Sequence, residues 1–210
     1  MIQSSVNSLG KLTVAGNGAG YQLEVLVYNT IIAFYHSMLN FVGQNVGARQ
    51  FDRAKKGVFV NLGLSMILGL VLGVGCFLFG RQLLKLFTDS EEAIGIGMKR
   101  VTYVVLPYLF VCSMESMAGA VRGLGASITP TVVSLVGSCL IRIVWVYTVF
   151  RQYGTIESLY VVYPVTWVLT TAAHVISFFI FYKGMKTRIQ NLPRPKHRHR
   201  ENGHRQGTAP

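Results

Sequence analysis

Apolar residues along this chain fall into five long blocks, residues 21–42, 57–79, 101–121, 129–150 and 158–182, separated by short polar and basic segments. About 20 helical residues cross the hydrocarbon core of a bilayer, and every block reaches that length. The pattern therefore predicts an all-α, polytopic membrane protein of about five transmembrane helices plus a partial one. Residues 1–20, MIQSSVNSLGKLTVAGNGAG, hold too many Gly, Ser and Asn and too short an apolar run to span alone. They read as the remnant of a truncated helix and loop. Residues 187–210 form a basic tail whose last part, PRPKHRHRENGHRQG, has no apolar residue and is expected to be disordered.

Composition sharpens this picture. The 210 residues are 51% hydrophobic and only 13% charged, against roughly 25% charged in ordinary soluble domains. A soluble globular enzyme, a disulfide-stapled secreted module and a disordered chain are all excluded by that distribution. The formal charge of +12 sits in the loops and the tail, a placement that points to membrane topology and away from nucleic acid. With the tail inside and the spans alternating, 13 Lys and Arg lie on the inner side and 6 on the outer, namely Lys11, Arg81, Lys85, Lys99, Arg100 and Arg151. Enrichment of basic residues in cytoplasmic loops then puts the C-terminus in the cytoplasm of a plasma (inner) membrane. Cys76, Cys112 and Cys139 all fall inside spans, where they are expected to be reduced and to pack as apolar residues. Met1 to Leu9 is polar, with no basic segment followed by an apolar core, so insertion is expected to rely on the spans.

Charged residues inside a span cost roughly 2.5–3.5 kcal/mol on insertion scales and so mark candidate chemistry. Glu115 lies near the middle of the third span; Arg122 follows by seven residues and Tyr108 precedes by seven, placing all three on one face. The functional reading is a protonatable carboxylate facing a wet cavity, and the alternative is a structural Glu bonded to a neighbouring helix. Arg122 is expected to snorkel near the cytoplasmic end. Glu24 falls in the first turn of span one, where an acid suits the helix dipole. Arg142, 14 residues into span four, is expected to reach the outer end and snorkel or pair. Pro107 and Pro164 permit kinks in spans three and five.

Two neutral polar stripes follow helical spacing: Asn29, His36 and Asn40 in span one, and Tyr163, Trp167, Thr170, His174 and Ser177 in span five. Such stripes either line a cavity or bond to neighbouring helices. Gly63, Gly69 and Gly73 read as packing positions, the last two forming a GxxxG. There is no GxxxxGK[ST], no CxxC pair and no HExxH, so neither ATP-driven transport nor zinc hydrolysis by this chain has support, and no metal site or cofactor is expected. His197, His199 and His204 in the tail are read as part of a basic flank attracted to anionic lipid.

The turn FVGQNVGARQFDRAKKG after span one and the segment AGAVRGLGASITPTVVSLVG between spans three and four, with VNSLG and the LFT at Leu86 to Thr88 in order, resemble the multidrug and toxic compound extrusion (MATE) family of cation-coupled efflux transporters. Motif positions carrying the resemblance are Gln44, Asn45, Gly47, Ala48, Arg122, Gly123 and Gly125. The resemblance implies a twelve-helix fold of two six-helix lobes, of which residues 21–186 would be the C-terminal lobe and residues 1–20 the end of helix seven. It implies export of small amphiphilic or cationic compounds by H+ or Na+ antiport across the lipid bilayer, with an acid on helix ten in cation coupling. Glu115 lies on the equivalent helix, and Tyr28, Asn29, Tyr35, His36, Asn40, Tyr108, Tyr163, Trp167 and His174 are the candidate cavity residues. Alternating access needs two bundles, so the missing N-terminal lobe would be supplied in cis or in trans. Two other readings stand beside this one: a transport-incompetent membrane fragment or partner protein, and a lipid-linked precursor flippase with a more cationic cavity.

Overall fold

The computed structural model describes residues 2–190, and the described residues form helices joined by tight turns. A short helix α1 (Ile2–Ser8) precedes α2 (Lys11–Gly47), α3 (Phe51–Leu78) and a single-turn α4 (Gly80–Leu84). Then follow α5 (Glu91–Gly123), α6 (Ile128–Tyr153) and α7 (Ile156–Ile189). Five of these, α2, α3, α5, α6 and α7, are long and apolar enough to cross a membrane. They correspond one for one to the five predicted spans. The basic tail and its histidines lie outside the described residues.

Helix α2 starts at Lys11, ten residues before the predicted span, and its 37 residues rise about 55 Å. The segment AGNGAG is the reason. A Cβ at Gly16 would stand 2.5 Å from the Ala93 carbonyl oxygen, and one at Gly20 would stand 3.1 Å from the Arg100 side chain. Small residues there let α2 lie directly against α5, so a stretch that looks loop-like in composition is a helix contact. With the helix extended, Glu24 is the fourteenth residue and not a first-turn acid.

Helix α5 likewise starts earlier than predicted. Ser90 caps it, its Oγ accepting from the Ala93 N–H at 3.3 Å, and Glu91 and Glu92 occupy the positive end of the dipole. Pro107 consequently sits at mid-helix. The chain passes there from a π turn at Val101–Val105 into a 3₁₀ turn at Leu106–Tyr108, and Pro107 has non-helical torsions. Gly69 and Gly73 of α3 pack against this irregular stretch, as their spacing predicts; a Cβ at Gly73 would meet the Leu106 carbonyl at 2.6 Å. In α7 the helix breaks at Val161, three residues before Pro164.

The motif turns are structural. Asn45 is buried and donates its Nδ2 to the Phe41 carbonyl at 2.7 Å, while its own carbonyl accepts from the Gln50 N–H at 2.7 Å. These bonds reverse the chain between α2 and α3 through Arg49, which adopts a left-handed φ of 59°. Gln44, Gly47 and Ala48 stay exposed around it. Gly125, with φ of 86°, closes α5 in the same manner.

Helix α5 is the central post, with α2, α3 and α7 packed around it. Cys76 and Cys112 are buried and free; Cys139 is free but exposed on α6, against the expectation that it packs. The face of α6 that carries it is not covered by other described residues of this chain.

Candidate functional site

Helices α2 and α5 run parallel, and their seam carries a ladder of polar pairs. Gly119 and Gly123 bring the two backbones together: a Cβ at Gly119 would lie 2.7 Å from the Tyr35 carbonyl oxygen. Positions 17, 24, 28 and 35 share one face of α2 and meet Arg100, Tyr108, Glu115 and Arg122 of α5 in order.

At the first rung Arg100, only 4% exposed, donates Nη1 to Asn17 Oδ1 at 2.7 Å and both Nε and Nη2 to Glu24 Oε2 at 2.9 and 2.5 Å. The Tyr160 hydroxyl donates to the same Asn17 oxygen at 2.8 Å. Tyr108 donates to the other Glu24 oxygen at 3.3 Å. The rings of Tyr21, Tyr160 and Tyr163 surround the Arg100 guanidinium at 5.3–5.7 Å. A buried ion pair with its remaining donors and acceptors satisfied is a rigid unit.

Glu115 is held differently. Its Oε1 accepts from the Tyr28 hydroxyl at 3.1 Å, and among the described residues no Lys, Arg or His lies within ion-pairing distance of it. Two turns on, Arg122 donates to the Tyr35 hydroxyl at 2.5 Å and to Thr131 Oγ1 at 2.9 Å, so it ties α2, α5 and α6 together rather than snorkelling.

Glu24 and Glu115 both line one cavity of about 180 Å³, with Tyr28, Tyr108, Ser138, Arg142, Tyr163 and Trp167 among its walls. Trp167 meets Tyr108 and Tyr163 edge to face at 5.7 and 5.8 Å, giving the cavity an aromatic side. Arg142 also faces this cavity, which corrects the expectation that it reaches the membrane surface. It lies eleven residues before Tyr153, the end of α6, a rise of about 16 Å that its side chain does not cover.

Of the residues singled out in the sequence, Tyr28, Tyr108, Glu115, Tyr163 and Trp167 come together here. Tyr35 is buried in the seam, one rung away. His174 is fully buried; its Nε2 pairs with Ser134 Oγ at 3.2 Å and its Nδ1 has no partner, so it packs α7 on α6. Thr170 and Ser177 bond back to their own helix. Asn29, His36 and Asn40 are exposed on the far face of α2 and do not join the cavity.

Sequence reasoning missed Asn17, Arg100 and Tyr160 as members of this site. Arg100 reads as an outer-loop residue in the sequence because the hydropathy block begins at Val101. The usable signal was the helical series 17, 24, 28, 35, visible once the Gly-rich segment is read as helix. Among the described residues, no cluster of three or more His, Cys, Asp or Glu stands ready for a metal ion.

Comparison with known proteins bears on this geometry. The MatE family model matches residues 1–148. A Bacillus subtilis protein described as probable multidrug resistance protein YoeA is 27% identical over 179 residues, 85% of this chain and 37% of that protein. Protein DETOXIFICATION 49 of Arabidopsis thaliana is 31% identical over 126 residues, 55% of this chain and 24% of its own length. The crystal structure of the Vibrio cholerae MATE transporter VcmN in the bent form superimposes with a TM-score of 0.79 at 17% identity, over 88% of this chain and 42% of that one. The chain thus spans about two fifths of the length of these two bacterial proteins.

Proposed function

This chain belongs to the MatE family, and from that premise we propose that it forms the C-terminal lobe of a secondary-active exporter in which H+ or Na+ exchanges at Glu115 against amphiphilic substrates. The observation that carries this reading is the contrast at the cavity. Glu24 is already neutralised by Arg100, whereas among the described residues Glu115 has only the neutral Tyr28 donor. A cation can join or leave Glu115 without breaking a salt bridge, which is what an exchange site requires. The aromatic wall of Tyr108, Tyr163 and Trp167 supports broad recognition of apolar ligand surface.

Spanning about two fifths of its bacterial relatives, the chain supplies one bundle, and a second lobe in cis or in trans completes the rocking pair. The charge distribution supports a cytoplasmic C-terminus in a plasma membrane. With Arg100 buried, the outer side keeps five basic residues against 13 inside. A flippase for pyrophosphate-linked lipids has less support, because Arg100 and Arg122 are engaged within the seam and only Arg142 lines the cavity.

The test is ethidium accumulation in bacteria lacking their own efflux pumps, with this chain expressed alone and together with the N-terminal half of YoeA. Efflux is expected only from the pair. Glu115→Gln is expected to abolish it while leaving membrane abundance unchanged. Undiminished efflux in that variant would remove Glu115 from the coupling role.

A further inference from the structure

We infer that Arg142 is a specificity-determining residue that binds an anionic group of the transported compound, so that the cavity selects zwitterionic amphiphiles, carboxylate toward Arg142 and cationic end toward Glu115. This deepens the functional reading above and rests on it.

A guanidinium in the middle of a membrane helix is costly unless paired. Arg142 is not paired with an acid: among the described residues no carboxylate lies within ion-pairing distance of it. Of the two acids in the same cavity, Glu24 is held by Arg100 and Tyr108, and Glu115 takes its hydrogen bond from Tyr28.

The side chain is nevertheless held in place. Its Nε donates to Thr166 Oγ1 at 3.2 Å, and the Tyr163 ring covers one face of the guanidinium at 4.3 Å. Neither Nη has a hydrogen bond within the described protein, and neither is sealed off from solvent. What remains is a fixed guanidinium edge with free donors in the wall of a cavity, the geometry that grips a carboxylate through two parallel bonds. Glu115, an acid, lines the same cavity. A volume of about 180 Å³ takes the two charged groups of a ligand while its apolar body lies outside, since sites for whole drug-sized molecules run to roughly 300–1,000 Å³.

The four helices that line the cavity all belong to this chain, so binding is measurable on the chain itself in nanodiscs. The probes are rhodamine B, which carries a carboxylate and a delocalised cation, and its ethyl ester, which keeps only the cation; binding is read by fluorescence anisotropy. The expected result is roughly tenfold tighter binding of rhodamine B than of the ester. Arg142→Gln should erase that preference while leaving ester affinity within about twofold, and Arg142→Lys should keep part of it. Equal binding of the two dyes by the unmodified chain, or a preference that survives in Arg142→Gln, would overturn the assignment even if the ester binds and Glu115 stands. Failure of the unmodified chain to bind either dye would sink the amphiphile cavity itself, and this inference with it.

Discussion

Glu24 and Glu115 open onto the same cavity from neighbouring helices, yet their surroundings differ in kind. Glu24 is 13% exposed at its side chain and its partner Arg100 is 5% exposed, and three further polar groups complete the cluster. Glu115 has, among the described residues, one neutral partner. The difference separates two jobs that a buried acid can do in a membrane. At Glu24 the charge is spent on holding α2, α5 and α7 together. At Glu115 it is left available.

The sharpest way to break this comparison is Arg100→Leu. It strands Glu24 as an unpaired buried carboxylate, and removing one partner of a buried pair costs about 3–5 kcal/mol. Thermal unfolding in detergent should show this as the largest loss in the set; a loss no greater than that of Glu115→Gln would refute the division of labour. Next comes Gly119→Val, which drives a side chain into the Tyr35 carbonyl and should cost about 1–3 kcal/mol by overpacking, read by denaturant titration. Glu115→Gln should then change stability by about 1 kcal/mol or less, since the amide still accepts from Tyr28. Smallest of all is Val144→Ala on the open face of α6, 60% exposed, expected to stay within about 0.5 kcal/mol. A larger shift there would mean that protein covers this face.

Much of the fold is legible in the sequence because a bilayer imposes length and apolarity on each span. The five helices, the break at Pro107 and the packing role of Gly69 and Gly73 all follow from that constraint. The site is legible where one helix carries its own pattern, as in Tyr108, Glu115 and Arg122. It fails where partners come from different helices. Nothing local distinguishes Arg100, buried against Glu24 across the seam, from Lys99, which meets Glu157 at the surface. The stripe of Asn29, His36 and Asn40 shows the converse: correct helical spacing identifies a face but not whether that face turns inward. The position of Arg142 is hidden for a third reason. Snorkelling is a matter of distance to the interface, and α6 is long enough to leave this residue in its middle.

The Pro107 region divides α5 into two pieces, with Arg100 on one and Glu115 and Arg122 on the other. Helices bend most cheaply where their hydrogen-bond ladder is already interrupted. On α5 the joint therefore lies between Arg100, which clamps Glu24, and Glu115. Arg100 pins α5 to α2 before the break, and Glu115 and Arg122 pin it after the break, so the two helices are held together on both sides of the weak point, like two planks nailed at either end of a crack.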